Sequence, residues 1–291
     1  MRAFVLAVCV GLAWTLGGCT AAPPSPALWR IADADSEIWL LGTVHVLPQE
    51  VQWRSARIDA AFTSANELVL ETDASPEGGA ALGALTARYG WLPAGETLSA
   101  RVGAEVQPQI IEAAALARLD PASLQPLRPW FAALQLSVGQ AIANGQDPSA
   151  GVEPVLFAEA TAHGRTISFF ETPEEQIRML ADLPPADEDR FFLATLRQMK
   201  DAPDAIERLQ TAWLHGDVAA LQSQIEPELR EAGPAVYEAL MTRRNRAWAD
   251  AIAQRLQGSG DVFIAVGAGH LVGPESVIAL LRARGIEVEG P

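Results

Sequence analysis

The sequence predicts an α/β (or α+β) fold, a central mixed sheet flanked by many helices in a single domain. Three observations carry this. The short apolar runs at residues 38–41, 68–70 and 262–266 have the length and character of buried strands. Much longer amphipathic stretches separate them, so helices outnumber strands. A polar group follows each run closely, and strand ends are where sheets with helical crossovers collect their ligand sites.

Taken in order, residues 29–32 and 37–41 read as a hairpin with Asp33 and Asp35 in its turn. Residues 54–65 carry a helical pattern in which Ile58, Ala61 and Phe62 share a face. Residues 67–70 are the next strand, ending in Glu71-Thr72-Asp73. The stretch 74–103, rich in Gly, Ala and Pro, is the least readable region. Helices are expected over 104–119 and 129–144, the second opening on Pro129 at its first position. After a break at 145–148 come a helix over 152–163 and a strand over 165–170 ending at Glu171. Thr172-Pro173-Glu174-Glu175 reads as a capping box with proline at N1, opening a helix to about residue 183. Residues 187–258 are helical almost throughout, with breaks expected at Ala202-Pro203, Gly216-Asp217, Pro227 and Gly233-Pro234. The last helix of that region, 235–256, contains Arg243-Arg244-Asn245. A strand at 262–266, a helix over 274–284 and an edge strand at 286–289 complete the chain. No internal repeat stands out beyond one paired motif.

That motif is G-x-x-H. Gly42 precedes His45 and Gly267 precedes His270 by three residues, each pair following an apolar strand, and these are two of only four histidines. The glycines are expected to break the strands and permit a tight turn. Neutral imidazoles are common metal ligands, and two with a carboxylate leave positions open for water and substrate. Glu71, Asp73 and Glu171 are the carboxylates within reach. A metal-bound water would attack an amide or ester carbonyl, with a spare carboxylate as general base. The alternative is that each histidine is a satisfied cap or turn residue. His163 and His215, each before a glycine, read as helix-terminus residues. Arg243, Arg244 and Asn245 could bind a substrate carboxylate or oxyanion, or form a solvated helix face.

Several chemistries are excluded. H-E-x-x-H, G-x-S-x-G and the P-loop are all missing. Gly267-Ala268-Gly269-His270-Leu271-Val272-Gly273 half-mimics a dinucleotide fingerprint, but its last glycine comes one residue late and no second half of such a sheet follows. A net charge of −15, with Lys200 the single lysine, leaves no footprint for nucleic acid.

Residues 1–18 read as a lipoprotein signal peptide: Arg2, an apolar segment too short to span a bilayer, then Leu16-Gly17-Gly18-Cys19, which resembles a bacterial lipobox. Gly17 is unusual there. A plain secretory signal cleaved nearby is the alternative. Residues 19–28, with lipidated Cys19 and three prolines, are expected to be an extended tether, and 29–291 the folded domain. With Cys9 removed and Cys19 lipidated, no thiol remains for disulfide or thiolate chemistry. The expected location is the bacterial cell envelope, periplasm-facing. Thr20 after Cys19 resembles the outer-membrane sorting pattern.

LLGTVHVLP, the LVLETD strand end, FFETPEEQ, RRNRAW and VFIAVGAGHLVGPESVIALLRARG together resemble the TraB/GumN family. That family is related to the Tiki metalloproteases and, more distantly, to erythromycin esterases and the haem-binding lipoprotein ChaN. The resemblance covers nearly all of residues 29–289. It implies a helix-flanked sheet and a divalent-metal peptidase, with Mn, Co or Zn as the cofactor and a peptide or small molecule as substrate. On its motifs His45, Glu71 and His270 match the metal-site positions and Arg244-Asn245 the R-N pair, for orienting substrate or stabilising an oxyanion. Glu171 lies in an L-E-T-like segment, here with Phe170 first, and is the candidate for acid–base work or for supporting the ligands. A non-catalytic envelope lipoprotein that binds haem or a peptide is the alternative, with His45 or His270 as an axial haem ligand.

Overall fold

The computed structural model describes residues 24–291. The signal segment 1–18, Cys19 and Thr20 lie outside the described residues. A five-stranded sheet organises the chain: β1 (Leu28–Ala32), β2 (Ser36–Thr43), β3 (Glu67–Leu70), β4 (Thr166–Phe169) and β5 (Gly260–Gly267), in the spatial order β1-β2-β5-β3-β4. β1 and β2 form the expected antiparallel hairpin, and Asp33 Oδ1 accepts from the N–H groups of Asp35 and Ser36 in its turn. The other neighbours are parallel, so the sheet is mixed.

The central strands are apolar because both of their faces are covered. Leu40, Leu41, Leu68, Val69, Phe263, Ile264 and Ala265 are buried to within 1% of complete. The helix Ala56–Ser64 covers one face with Ile58, Ala61 and Phe62, the three residues its periodicity selected, and Phe62 meets Phe263 edge to face at 5.3 Å. Each of the larger side chains, such as Ile58 and Phe62, contributes about 1.5–3 kcal/mol on burial. Two smaller apolar clusters sit beside the sheet among helices, one around Ile110, Leu136 and Phe192, the other around Trp130, Leu180 and Val236.

Several sequence expectations need correction. Leu28 is already in β1 and Ala27 is buried, so the folded domain begins before residue 29. Gly42 does not break its strand, because parallel pairing carries β2 on to Thr43, whereas β5 ends at Gly267 as expected. The stretch 74–103 holds the helices Pro76–Tyr89 and Leu98–Val102, capped by Ser75 and Thr97. Pro227 does not break the helix Val218–Glu231. It is exposed, so water can take the carbonyl it leaves without a donor, while Leu221 and Ile225 hold the helix to the core. The helix expected over 235–256 is interrupted by a π-type turn at Glu238–Thr242. The last helix is the shorter Val277–Ala283, and the final edge strand reduces to one bridge between Arg30 and Glu289.

Candidate functional site

Register builds the site. Gly42 pairs with Val266 and Thr43 with Gly267 across the parallel strands β2 and β5. Leu70, at the end of β3, pairs with Ala265 on the other side of β5. His45, His270 and Glu71 therefore emerge at one edge of the sheet. β4 adds Glu171, whose N–H donates to the Glu71 carbonyl at 2.8 Å.

Gly267 marks where these groups meet. A Cβ built there would lie 3.1 Å from Glu71 Oε1, 3.6 Å from His270 Cδ2 and 3.9 Å from His45 Nε2. The Gly267 N–H donates to Glu71 Oε1 at 2.6 Å. Gly151 has a related purpose: a Cβ there would come within 2.3 Å of the His45 carbonyl oxygen. This close approach lets the segment before the helix Val152–Ala162 pin the His45 loop, through Val152 N–H to the Val44 carbonyl at 3.2 Å and Asp147 N–H to the Leu47 carbonyl at 3.0 Å.

Each histidine is oriented through its Nδ1. Glu153, in the first turn of Val152–Ala162, places Oε1 2.8 Å from His45 Nδ1 and also accepts from Thr43 Oγ1 at 2.5 Å. The Glu153 carboxylate pushes the His45 imidazole above the usual histidine range. The His45 side chain is 71% exposed, so the site opens to solvent at this end. At the other end His270 is buried. Its Nδ1–H donates to Asn245 Oδ1 at 2.6 Å, and its ring packs on Trp248 with centroids 4.5 Å apart. Burial, with help from Arg244, holds His270 down to about 3, so it is neutral. Both imidazoles thereby turn Nε2 toward the common space.

Arg244 closes the inner side. Its five N–H groups are all spent: Nε on Glu171 Oε1 (2.7 Å), Nη2 on Glu171 Oε2 (2.8 Å) and Glu71 Oε2 (2.5 Å), Nη1 on His270 Nε2 (2.8 Å) and the Leu240 carbonyl (3.2 Å). The guanidinium also lies 4.6 Å over the Trp248 ring. Arg244 and Asn245 are buried, so the solvated-face reading of this helix holds only for neighbours such as Arg243 and Arg246. The π-type turn immediately before them fits its usual occurrence at functional sites. Burial alone would raise Glu71. The two imidazoles, Arg244 and the Gly267 N–H outweigh it and hold the carboxyl down to about 2. Burial does push Glu171 up, but both of its oxygens are on Arg244.

A cavity of about 350 Å³ opens over these residues, with His45, Glu71, Arg244 and His270 on one side and Ile206, Leu209, Ile225 and Met241 on the other. Sequence reasoning missed three of the residues that shape the site. Glu153 lies in a first helical turn, where acids are common, and its one sequence signal is the glycine two residues earlier. Trp248 closes the RRNRAW segment, and the sequence gives it no role. Glu228 lines the cavity, is pushed up by burial and gives one oxygen to Gln198, but lies on a helix with no motif. Asp73, a candidate carboxylate, faces elsewhere and organises the turn into Pro76–Tyr89 by accepting from Ser75 N–H. His163 and His215 are helix-terminal, as expected, each with Nδ1 2.8 Å from a carbonyl of its own helix.

Two imidazole Nε2 atoms and one carboxylate oxygen, atoms of the kinds that ligate divalent cations, face a single space, and both Nδ1 atoms are engaged. Among the described residues, no group of three or more His, Cys, Asp and Glu is arranged to hold a metal as built. Arg244 occupies the His270 lone pair. A family model described as the TraB/PrgY/gumN family matches residues 27–290. No curated protein and no solved structure matches the chain.

Proposed function

We propose, from the premise that this chain belongs to the TraB/PrgY/gumN family, that it is a divalent-metal-dependent hydrolase acting on a peptide amide bond. What supports this above all is the matched orientation of His45 and His270, each with Nδ1 on a side-chain acceptor and Nε2 facing Glu71. Metal-binding histidines are held in this way. His45, His270 and Glu71 would hold Mn, Co or Zn, and the bound ion would lower the pKa of a water toward neutrality and polarise a carbonyl. His45, carrying a proton while Glu153 faces it, must release that proton to act as a ligand. Arg244 lines the cavity beside these groups, where its positive charge would favour a carbonyl oxygen that gains charge, and Asn245 acts through the His270 ring. The apolar wall of Ile206, Leu209, Ile225 and Met241 would receive an apolar side chain next to the cleaved bond.

The reading extends to location: a lipid on Cys19 would hold the domain at the periplasmic side of a bacterial envelope membrane. Metabolic labelling with a fatty-acid probe, lost in Cys19→Ser, tests that part separately. For the site, metal content by mass spectrometry is measured on the fragment beginning after Cys19, beside a His45→Ala/His270→Ala double variant. A peptide-library digest follows. Near-stoichiometric metal in the parent, lost in the variant together with hydrolysis while circular dichroism is unchanged, is the expected result. Metal without turnover would favour a ligand-binding protein. No metal after reconstitution would end the proposal.

A further inference from the structure

The cavity over the site is not apolar along its whole lining. The helices Ala205–Leu214 and Val218–Glu231 contribute Ile206, Leu209 and Ile225 to its wall. Glu228, three residues after Ile225 on the same helix face, also lines the cavity, with Gln198 of the helix Pro185–Asp201 beside it. Gln198 Nε2 donates to Glu228 Oε2 at 2.7 Å. Among the described residues no cation is bonded to this carboxylate: Arg208, which acts on it from a distance, is paired with Asp204. Glu228 is half-buried, and burial pushes its carboxyl up. Gln224, one turn earlier on the same lining, gives its Nε2 to the Ala220 carbonyl at 3.2 Å and leaves Oε1 buried without a donor. A partly desolvated carboxylate and an unpartnered amide oxygen thus form an acceptor end to an otherwise apolar wall.

We propose that this end of the cavity is a subsite for a cationic side chain of the lysine or arginine type, and that Glu228 is the residue that selects it. This rests on the reading of the cavity as the place where a peptide binds, and it needs no bound ion. Ile206, Leu209, Ile225 and Met241 would pack on the aliphatic stem while the charged tip reaches Glu228, as long cationic side chains do when their stems cross apolar surface. The tip makes a charge-assisted hydrogen bond to Glu228, and its remaining N–H groups are available to Gln224 Oε1. A volume of about 350 Å³ is at the small end for a ligand cavity and suits one long side chain with its adjoining backbone. The charges at the inner end permit this. Arg244 is paired there with Glu71 and Glu171, and His45 with Glu153. Those positive charges are matched, so their repulsion of an entering cation is largely cancelled, and Glu228 is the lining carboxylate left without a cation.

Selectivity among otherwise equal peptides tests this. Capped pentapeptides of alanine with lysine, arginine, norleucine or glutamate at the centre are titrated into the purified protein without added metal. Binding is followed by calorimetry and by saturation-transfer NMR. Norleucine keeps the stem of lysine and lacks its charge. The lysine and arginine peptides are expected to bind at least about tenfold more tightly than the norleucine peptide, the weight of one hydrogen bond to a charged group, and the glutamate peptide most weakly. Glu228→Gln, which keeps the size of the side chain and an acceptor for Gln198, is expected to remove the preference, with folding checked by circular dichroism. Equal binding of the lysine and norleucine peptides by the parent, no binding of any of the four, or a preference that persists in Glu228→Gln overturns the subsite. If that variant does not fold, the parent's ranking of the four peptides decides alone. Cleavage is read separately in the metal-loaded protein. A cationic preference in binding without cleavage supports the subsite and counts against the hydrolase, and cleavage without that preference does the reverse.

Discussion

Glu153 Oε1 lies 2.8 Å from His45 Nδ1, and the two residues reach that contact from opposite sides of a backbone junction that only Gly151 permits. The carboxylate fixes the ring of a histidine that is otherwise mostly in solvent. Glu153→Ala should therefore leave the fold intact but release the ring. Co²⁺ affinity is expected to fall by about 10–100-fold, the usual weight of a residue that orients a metal-binding histidine. A Co²⁺ titration checks it, and unchanged affinity would mean that His45 does not need Glu153.

Gly267→Ala addresses the meeting point itself. The backbone there, at φ −49° and ψ 132°, accepts alanine. The added methyl would lie 3.1 Å from Glu71 Oε1 and between the two imidazoles. Stability is expected to change by about 1 kcal/mol or less, since Glu71 need move only a few tenths of an ångström. Metal affinity should fall by about tenfold or more, because the donors are displaced. Urea unfolding beside metal titration separates the two effects. Loss of both together would show a packing role instead.

Asn245 joins two elements, accepting from His270 Nδ1–H at 2.6 Å and donating to the Glu275 carbonyl at 2.8 Å. Asn245→Ala leaves a buried imidazole N–H without an acceptor. The expected cost is about 1–3 kcal/mol, read as a lower midpoint in chemical denaturation. Asn245→Asp keeps an acceptor for His270 and should recover part of that loss.

The pH dependence of stability has a source away from the site. On β3, Glu67 pairs with Arg255 Nη1 at 2.7 Å and accepts from Ser168 Oγ. Burial alone would raise its carboxyl, but these hydrogen bonds outweigh it and hold Glu67 below its usual range. The unfolded chain therefore takes up this proton first as pH falls. The stabilisation is complete above about pH 4.5 and is lost as pH drops through the folded-state value. Glu67→Gln should cost about 1 kcal/mol or less at pH 7, because the pair is partly in solvent, and should flatten the acid limb. Unfolding midpoints of both proteins, compared from about pH 6 down to about pH 3, check it. A parallel fall in the two would assign the acid sensitivity elsewhere.

Much of the scaffold was legible in local patterns. The apolar runs marked the strands, the face shared by Ile58, Ala61 and Phe62 marked a buried helix stripe, and Thr172 and Glu175 formed the capping box their spacing predicted. These features depend on neighbours within a turn or a strand, so the chain carries them in plain view. Pro227 was misread for a related reason: its local preference to break a helix yields when packing by Leu221 and Ile225 holds the helix and water can take the freed carbonyl.

By itself, the sequence determined that His45, Glu71, Glu171 and His270 would each stand at a strand end. Only the tertiary structure decided that those ends are one edge. The placement of β5 between β2 and β3, and the pairing of Thr43 with Gly267, join residues about two hundred positions apart, and no local pattern encodes which strand pairs with which. The same holds for Arg244. Its helix periodicity allowed a solvated or a buried face, and burial followed because Glu71, Glu171 and His270, brought from three distant segments, together with the Leu240 carbonyl and Trp248 of its own helical stretch, satisfy every donor and the charge at once.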